Sequence, residues 1–471
     1  KVLLVNPAKP DGFSVNRIHM GFALFSEILS RAGHIVQVLD YAFLSGIRRK
    51  VKPPALQDFI RSFSPDVIGV SVFSYQYDEC LKILDSISAV TESPVVLGGP
   101  HITMFPEDFA SDTRVSYLVR GEAESIIVEL VERAVRKPVP TLIEAPNPHP
   151  SQIPPQKLDT FLGSEFLECY QIQLSRGCPF KCSFCNVQIV AGRKVRAREL
   201  DVCLEQIAQA VAAQPSINTI TVTDDCPNFD KPRFKDFLRR FASMFPGLTL
   251  TVDNMRADLL DEEMIILYTR AGGKNLCLGT ESGDPEVFAM VTKGETLDDV
   301  VKTSNLVRKH NLQLGLCFVI GLPGDTLERH QKSIALAKEL NPDYVFWNMC
   351  VPWPGTGIYE WFLKNGEIGD VRNFSTLITP SLDFDIPRAY SPEFPVEQRI
   401  KAWIQANLET FSLPFLTRNN FRSFPRNLLR LFSLGMRYGL FLSSVKFLVG
   451  LTVFKFCSIL RTKFLRRFKR V

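Results

Sequence analysis

The chain has no aspartate or glutamate after Glu409. It also lacks a GxGxxG turn, a second CxxC or HxxxH beside its one cysteine cluster, and any internal repeat. Each absence excludes something. Without GxGxxG, a nicotinamide dinucleotide held on a glycine-rich βα turn is disfavoured. Without a second ligand pair, a structural zinc site lacks its fourth donor. Without a repeat, solenoids and propellers drop out. The 11 cysteines follow no disulfide spacing, which fits a reducing cytosol better than a stapled secreted scaffold. No signal peptide is expected, because the opening KVLLVNP (1–7) reads at once as a buried strand. No basic–aromatic platform for single strands is evident, so a nucleic-acid partner is not expected.

What is present starts with size. The 471 residues suggest two or three domains at roughly 150 residues each, enough to bury sizeable cores. The formal charge of +5 hides an asymmetry: 13 of the 55 Lys and Arg fall in 410–471, leaving 42 against 50 Asp and Glu in the body. A mildly acidic body therefore carries a strongly basic tail. Within the tail, 438–460 is mostly apolar, but Lys446 and Lys455 interrupt it. A central lysine costs about 2.5–3.5 kcal/mol on insertion. An interfacial helix accepts lysines by snorkelling, and its cationic end favours anionic headgroups. A membrane-surface partner and a peripheral cytoplasmic location follow as expectations, with packing of the tail on the body, or a true span, as the alternatives.

Short apolar runs alternate with helical patterns over the first 135 residues. KVLLVNP (1–7), HIVQVLD (34–40), VIGVSVF (67–73), PVVLGGP (94–100) and YLVRGE (117–122) read as buried parallel strands. That alternation predicts a doubly wound α/β domain over 1–135. The proline-rich stretch 136–165 reads as a linker. Over 166–372 six further strands are expected, at 171–177, 219–225, 248–256, 275–282, 312–323 and 343–355. Six βα units predict a parallel sheet curled into a partial (β/α)6, TIM-like barrel, with its site on the loops at the carboxyl ends of the strands. Residues 373–471 are expected to form a helical, basic C-terminal region.

The first of those loops holds LSRGCPFKCSFCNV (174–187), with Cys178, Cys182 and Cys185 spaced CxxxCxxC. Thiolates bind iron tightly, and a 4Fe–4S cluster wants four ligands. Three cysteines leave one iron open to a substrate, as catalytic zinc keeps an open position. Gly177 and Pro179 hold the loop out of helix while the cysteines are placed.

CxxxCxxC at the head of a βα barrel resembles the radical SAM superfamily. The resemblance implies that Cys178, Cys182 and Cys185 hold three irons, and that S-adenosylmethionine (SAM) chelates the fourth. Phe184 would pack near the adenine. Reductive cleavage of SAM would then yield a hydrogen-abstracting adenosyl radical. Asp224 and Asp225, ending the second strand, would receive the SAM ammonium group, helix capping being the alternative. Glu281 and Ser282, in an ESG segment, would lie near the ribose. Glu281 ends a buried strand, where an unpaired carboxylate is costly. Arg256 is a partner for the SAM carboxylate or an ordinary salt bridge. Cys226 and Cys350 are extra thiols facing the cavity or buried hydrophobes.

The first domain's run PDVIGVSVFS…PVVLGGPH…YLVRGEAE resembles the cobalamin-binding domain fused to one radical SAM class, which includes the class B methyltransferases and the anaerobic magnesium-protoporphyrin cyclase. By that resemblance Ser71, Ser74, Gly98 and Gly99 line the slot for the nucleotide tail, with His101, Gly121 and Glu122 close by. The DxHxxG motif that supplies a cobalt-ligating histidine is absent. Asp11 is too far from His19 and Gly21 too near it, so His19 reads as an ordinary loop histidine, with cobalt ligation as the alternative.

The expected cofactors are therefore a 4Fe–4S cluster, SAM and cobalamin. The expected reaction is methylation of an unactivated carbon in a small-molecule or lipid substrate, with electrons from a flavodoxin- or ferredoxin-type donor. Oxidative ring formation or rearrangement is the alternative reaction. A non-catalytic cobalamin sensor is the alternative of another class.

Overall fold

The computed structural model describes residues 1–8, 16–369, 389–410, 433, 436–441 and 443–445. The first domain is one parallel sheet built from β1 (Val2–Asn6), β2 (Val36–Asp40), β3 (Val67–Ser71), β4 (Val95–Gly98), β5 (Tyr117–Gly121) and β6 (Thr141–Ala145), in the order β2-β1-β3-β4-β5-β6. The core of β1, β3 and β4 is Val, Ile and Leu, buried on both faces. Each fully buried aliphatic side chain contributes about 1.5–3 kcal/mol. In those three strands polar side chains enter only at the carboxyl ends, where Asn6 donates to Asp40 of β2 at 2.7 Å. The chain order reverses between β2 and β3, on either side of β1, which places the crevice of a doubly wound sheet there.

β6 lies in the stretch expected to be a linker. It pairs in parallel with β5 along its whole length and forms the sheet's outer edge. Its residues are exposed or half-buried, as an edge strand permits.

The second domain supplies all six expected strands as β7 (Cys169–Ile172), β10 (Thr219–Val222), β11 (Thr249–Val252), β12 (Asn275–Glu281), β13 (Gln313–Ile320) and β14 (Tyr344–Met349). They form two three-stranded parallel sheets, β11-β10-β7 and β12-β13-β14. Outward Leu, Ile and Phe pack beneath the helices. Helices begin on side-chain caps, such as Asp230, Asp261, Thr296 and Thr326. Two short strands, β8 (Ser175–Arg176) and β9 (Arg196–Ala197), pair antiparallel and bracket the cysteine loop.

After the barrel, the helix Val396–Glu409 packs on β13 and β14, with Trp403 donating to the Trp347 carbonyl at 3.0 Å. Leu440 joins the main core, and Ser443 donates to Glu409 at 3.3 Å, so this part of the apolar segment packs on the body. Most of the tail expected to meet a membrane lies outside the described residues. Among the described residues no helix is long and apolar enough to cross a membrane.

Candidate active site

The cysteine loop is held from below by the aspartate pair. Asp224 accepts from the Leu174 backbone N–H at 2.7 Å and the Ser175 hydroxyl at 2.6 Å. Asp225 accepts from the Gly177 N–H at 2.8 Å. Neither caps a helix. Together they pin three of the four residues that lead into Cys178. Burial pushes the Asp224 carboxyl up to about 7 and raises that of Asp225. Gly177 has φ +88°, and a Cβ there would strike the Lys194 carbonyl, so glycine is needed. Further along, Ser183 N–H bonds Val291 O at 2.9 Å and Thr292 hydroxyl bonds Lys181 O at 2.9 Å.

The three thiols are half-buried and differ in their surroundings. The neighbouring Cys226 thiol is the main cause that brings Cys178 down to about 7. Burial raises Cys182, and pushes Cys185 up to about 11. Among the described residues no three His, Cys, Asp or Glu converge on a point that would hold a single metal ion. Lys293 and Arg256 lie close enough to favour the Cys182 thiolate, against the opposing charge of Glu281. Cys226 is buried beside Cys178. Cys350 is a buried hydrophobe, pushed up to about 12.

The other residues expected around SAM have partners within the chain. Glu281 ends β12 in a left-handed conformation, φ +56°. It accepts from Lys293 Nζ at 3.1 Å, and Lys293 also lies 3.0 Å from Glu295. Arg256 makes the salt bridge that was the alternative: Nε and Nη2 each donate to Asp258 at 3.0 Å. The Ser282 hydroxyl is buried, accepts from Asp284 N–H at 3.1 Å and meets Ser333 at 3.4 Å. Phe184 packs on a satellite core with Val287 and Phe362. Lys293 and Glu295 carry no motif of their own; the only hint was charge recurring in VTKGE (291–295) just after a buried strand.

The crevice of the first domain contains a pocket of about 900 Å³, counting its open mouth. Ser71, Gly98, Gly99, Gly121 and Glu122 line it, and so does His19. A Cβ added at Gly98 would meet nothing nearer than Val119 at 3.9 Å, so it would project into the cavity. At Gly99, φ +98°, a Cβ would come within 2.8 Å of Ser71 Oγ. The glycines thus leave a cleared, mostly apolar cradle of the kind a planar heterocyclic tail needs. Ser74 and His101 do not line it. His101 Nδ1 meets Ser74 Oγ at 3.0 Å, and its Nε2 lies 3.2 Å from Asp108. His19 caps the helix Met20–Arg31, accepting from Phe22 N–H at 3.1 Å, and its other ring nitrogen meets Ser71 Oγ at 2.9 Å. Asp11 lies outside the described residues.

A glycine-floored slot in a doubly wound domain, set before a βα half-barrel whose first loop bears three thiols, defines a cofactor-dependent radical enzyme with two cofactor-binding domains. The chain is a radical SAM enzyme with a cobalamin-binding domain. The Radical SAM superfamily model matches residues 172–337, and the B12 binding domain model matches 17–131. Its cofactors are a 4Fe–4S cluster, SAM and cobalamin. An uncharacterized methyltransferase of Pyrococcus horikoshii is 24% identical over 78% of this chain and 83% of that protein. The anaerobic magnesium-protoporphyrin IX monomethyl ester cyclase of Rubrivivax gelatinosus is 23% identical over 74% of this chain and 67% of its own. Among solved structures, the radical SAM methyltransferase TsrM of Kitasatospora setae, with cobalamin and [4Fe-4S] cluster bound, aligns with TM-score 0.63 at 19% identity. It covers 87% of this chain and 88% of that one.

Proposed function

We propose that this enzyme methylates an unactivated carbon of a small-molecule substrate. When bound, the cluster and SAM supply a hydrogen-abstracting radical, and cobalamin supplies a methyl carrier. The observation that carries the reading is that one residue, Glu122, both lines the first domain's slot and pairs with the strands that frame the cysteine loop. The two cofactor regions therefore meet. Cys178, Cys182 and Cys185 hold the cluster, and Asp224 and Asp225 position their loop. The Glu281–Lys293–Glu295 chain keeps fixed charge at the end of β12, where donors and acceptors for SAM are needed. Ser71, Gly98, Gly99 and Gly121 shape the slot.

Several relatives support methyl transfer, among them the bacteriochlorophyllide d C-12(1)-methyltransferase of Chlorobaculum tepidum. The cyclase relative supports the second reading, oxidative ring formation. SAM labelled in its methyl group separates the two. Label in the product is the expected result, and an unlabelled, cyclised product would replace methylation with ring formation. A low-potential flavodoxin- or ferredoxin-type protein is the proposed electron donor. The basic tail proposes an anionic membrane surface as a further partner, which float-up with anionic vesicles tests.

A further inference from the structure

Glu122 and Glu124 follow β5 in the wall of the slot, yet their carboxylates reach the barrel. Arg176 Nη1 lies 2.7 Å from Glu122 and 2.7 Å from Glu124. Arg196 Nη1 donates to Glu122 Oε2 at 2.9 Å, and its Nη2 donates to Glu122 Oε1. Arg176 belongs to β8 and Arg196 to β9, the two strands that bracket Cys178, Cys182 and Cys185. Gly177, bonded to Asp225, is all that separates Arg176 from Cys178.

The four side chains are 6–13% exposed, so solvent does little to screen them, and removing one strands a buried charge. Two carboxylates face two guanidiniums. Both oxygens of Glu122 are engaged by Arg196, a two-point contact that fixes orientation as well as distance. An exposed pair just before them on β5, Arg120 with Glu144 at 2.8 Å, crosses only to β6 and provides a built-in comparison.

We propose that Glu122 is a positioning residue that couples the slot to the cysteine loop, so that cobalamin binding and cluster assembly favour each other. The inference rests on the assignment of cobalamin to the slot and the cluster to the loop. A ligand packed on the slot wall restricts Glu122, Glu122 restricts β9 against β8, and that hairpin sets the spread of the thiols. Linkage makes the effect reciprocal: what cobalamin gives the cluster, the cluster gives cobalamin.

The test measures hydroxocobalamin affinity by fluorescence quenching on the full chain, anaerobically, before and after iron–sulfur reconstitution. The ratio of the two dissociation constants is the readout, since a merely structural loss weakens both alike. The wild-type chain is expected to bind at least about fivefold more tightly with iron loaded, the lower end of usual coupling. Glu122→Gln and Arg196→Gln are each expected to bring the ratio within about twofold of unity, while Arg120→Gln keeps the wild-type ratio. Arg196→Gln carries the test from the barrel side if Glu122→Gln fails to fold. Equal affinities in the wild type overturn the proposal, as does a Glu122→Gln ratio matching wild type. No hydroxocobalamin binding in either state overturns the slot assignment, and the coupling with it.

Discussion

The guanidinium carbon of Arg256 stands 3.6 Å from the centre of the Phe180 ring. Phe180 belongs to the cysteine loop, between Cys178 and Cys182, while Arg256 follows β11 and is forked onto Asp258. The arginine is thus a bracket between the far side of the first half-barrel and the loop. Buried cation–π contacts are worth about 2 kcal/mol, and a lone buried carboxylate costs more. Arg256→Met is expected to lose about 2–4 kcal/mol in urea unfolding. Arg256→Lys should recover less than half of that, because a lysine neither stacks nor forks.

Replacing Cys178, Cys182 and Cys185 together by alanine is expected to abolish iron binding while cobalamin binding persists. Reconstituted wild type should hold about four irons per chain, and the variant none. Iron and cobalt analysis of the same samples checks both halves. Residual iron in the triple variant would move the cluster to other thiols, Cys226 first.

Gly98→Leu separates the slot from the fold. The backbone at Gly98 needs no positive φ, and a Cβ there touches nothing closer than 3.9 Å. The chain should fold as before, with its melting temperature within a few degrees. The leucine fills the cradle, so hydroxocobalamin affinity should fall at least about tenfold, equal to about 1.4 kcal/mol. Unchanged affinity would place the nucleotide tail elsewhere.

Asp224 gives stability a pH dependence of known sign. Its carboxyl ionises near 4 in an unfolded chain but at about 7 in the folded one. Between those values the folded state holds a proton that the unfolded state has released. Stability from this group is therefore full below about pH 4 and falls as pH rises to about 7. Three units correspond to about 4 kcal/mol at most. Asp224→Asn cannot titrate, so its unfolding free energy should vary less between pH 5 and 7.5. The variant should compare better with wild type at the higher pH. Parallel slopes would show that Asp224 is ionised throughout.

Much of this was legible in the sequence for a plain reason. Runs such as VIGVS (67–71) and FVIG (318–321) are short, rich in Val and Ile and apolar on both faces, as a buried parallel strand requires. TLIEA (141–145) resisted because an edge strand buries little, and prolines surround it. The aspartate pair was visible as polar residues ending a strand, but its task was not. Asp224 and Asp225 are bonded by Leu174 and Gly177, some fifty positions earlier in the chain. Such bonds depend on which strands become neighbours. The same holds for Arg256, whose partner Asp258 was two residues away and whose ring partner was not. Glu122 looked like a ligand residue by place, and only the hairpin's two arginines reveal its second attachment.

β12-β13-β14 and β11-β10-β7 are joined by no strand ladder at either margin among the described residues. A closed hoop of strands has one gauge, set by strand number and stagger. Two half-shells can widen or narrow the gap between their margins without breaking a strand–strand hydrogen bond. The spacing of the two shells is therefore set by side-chain packing in the one core they share, and not by a count of strands and their stagger.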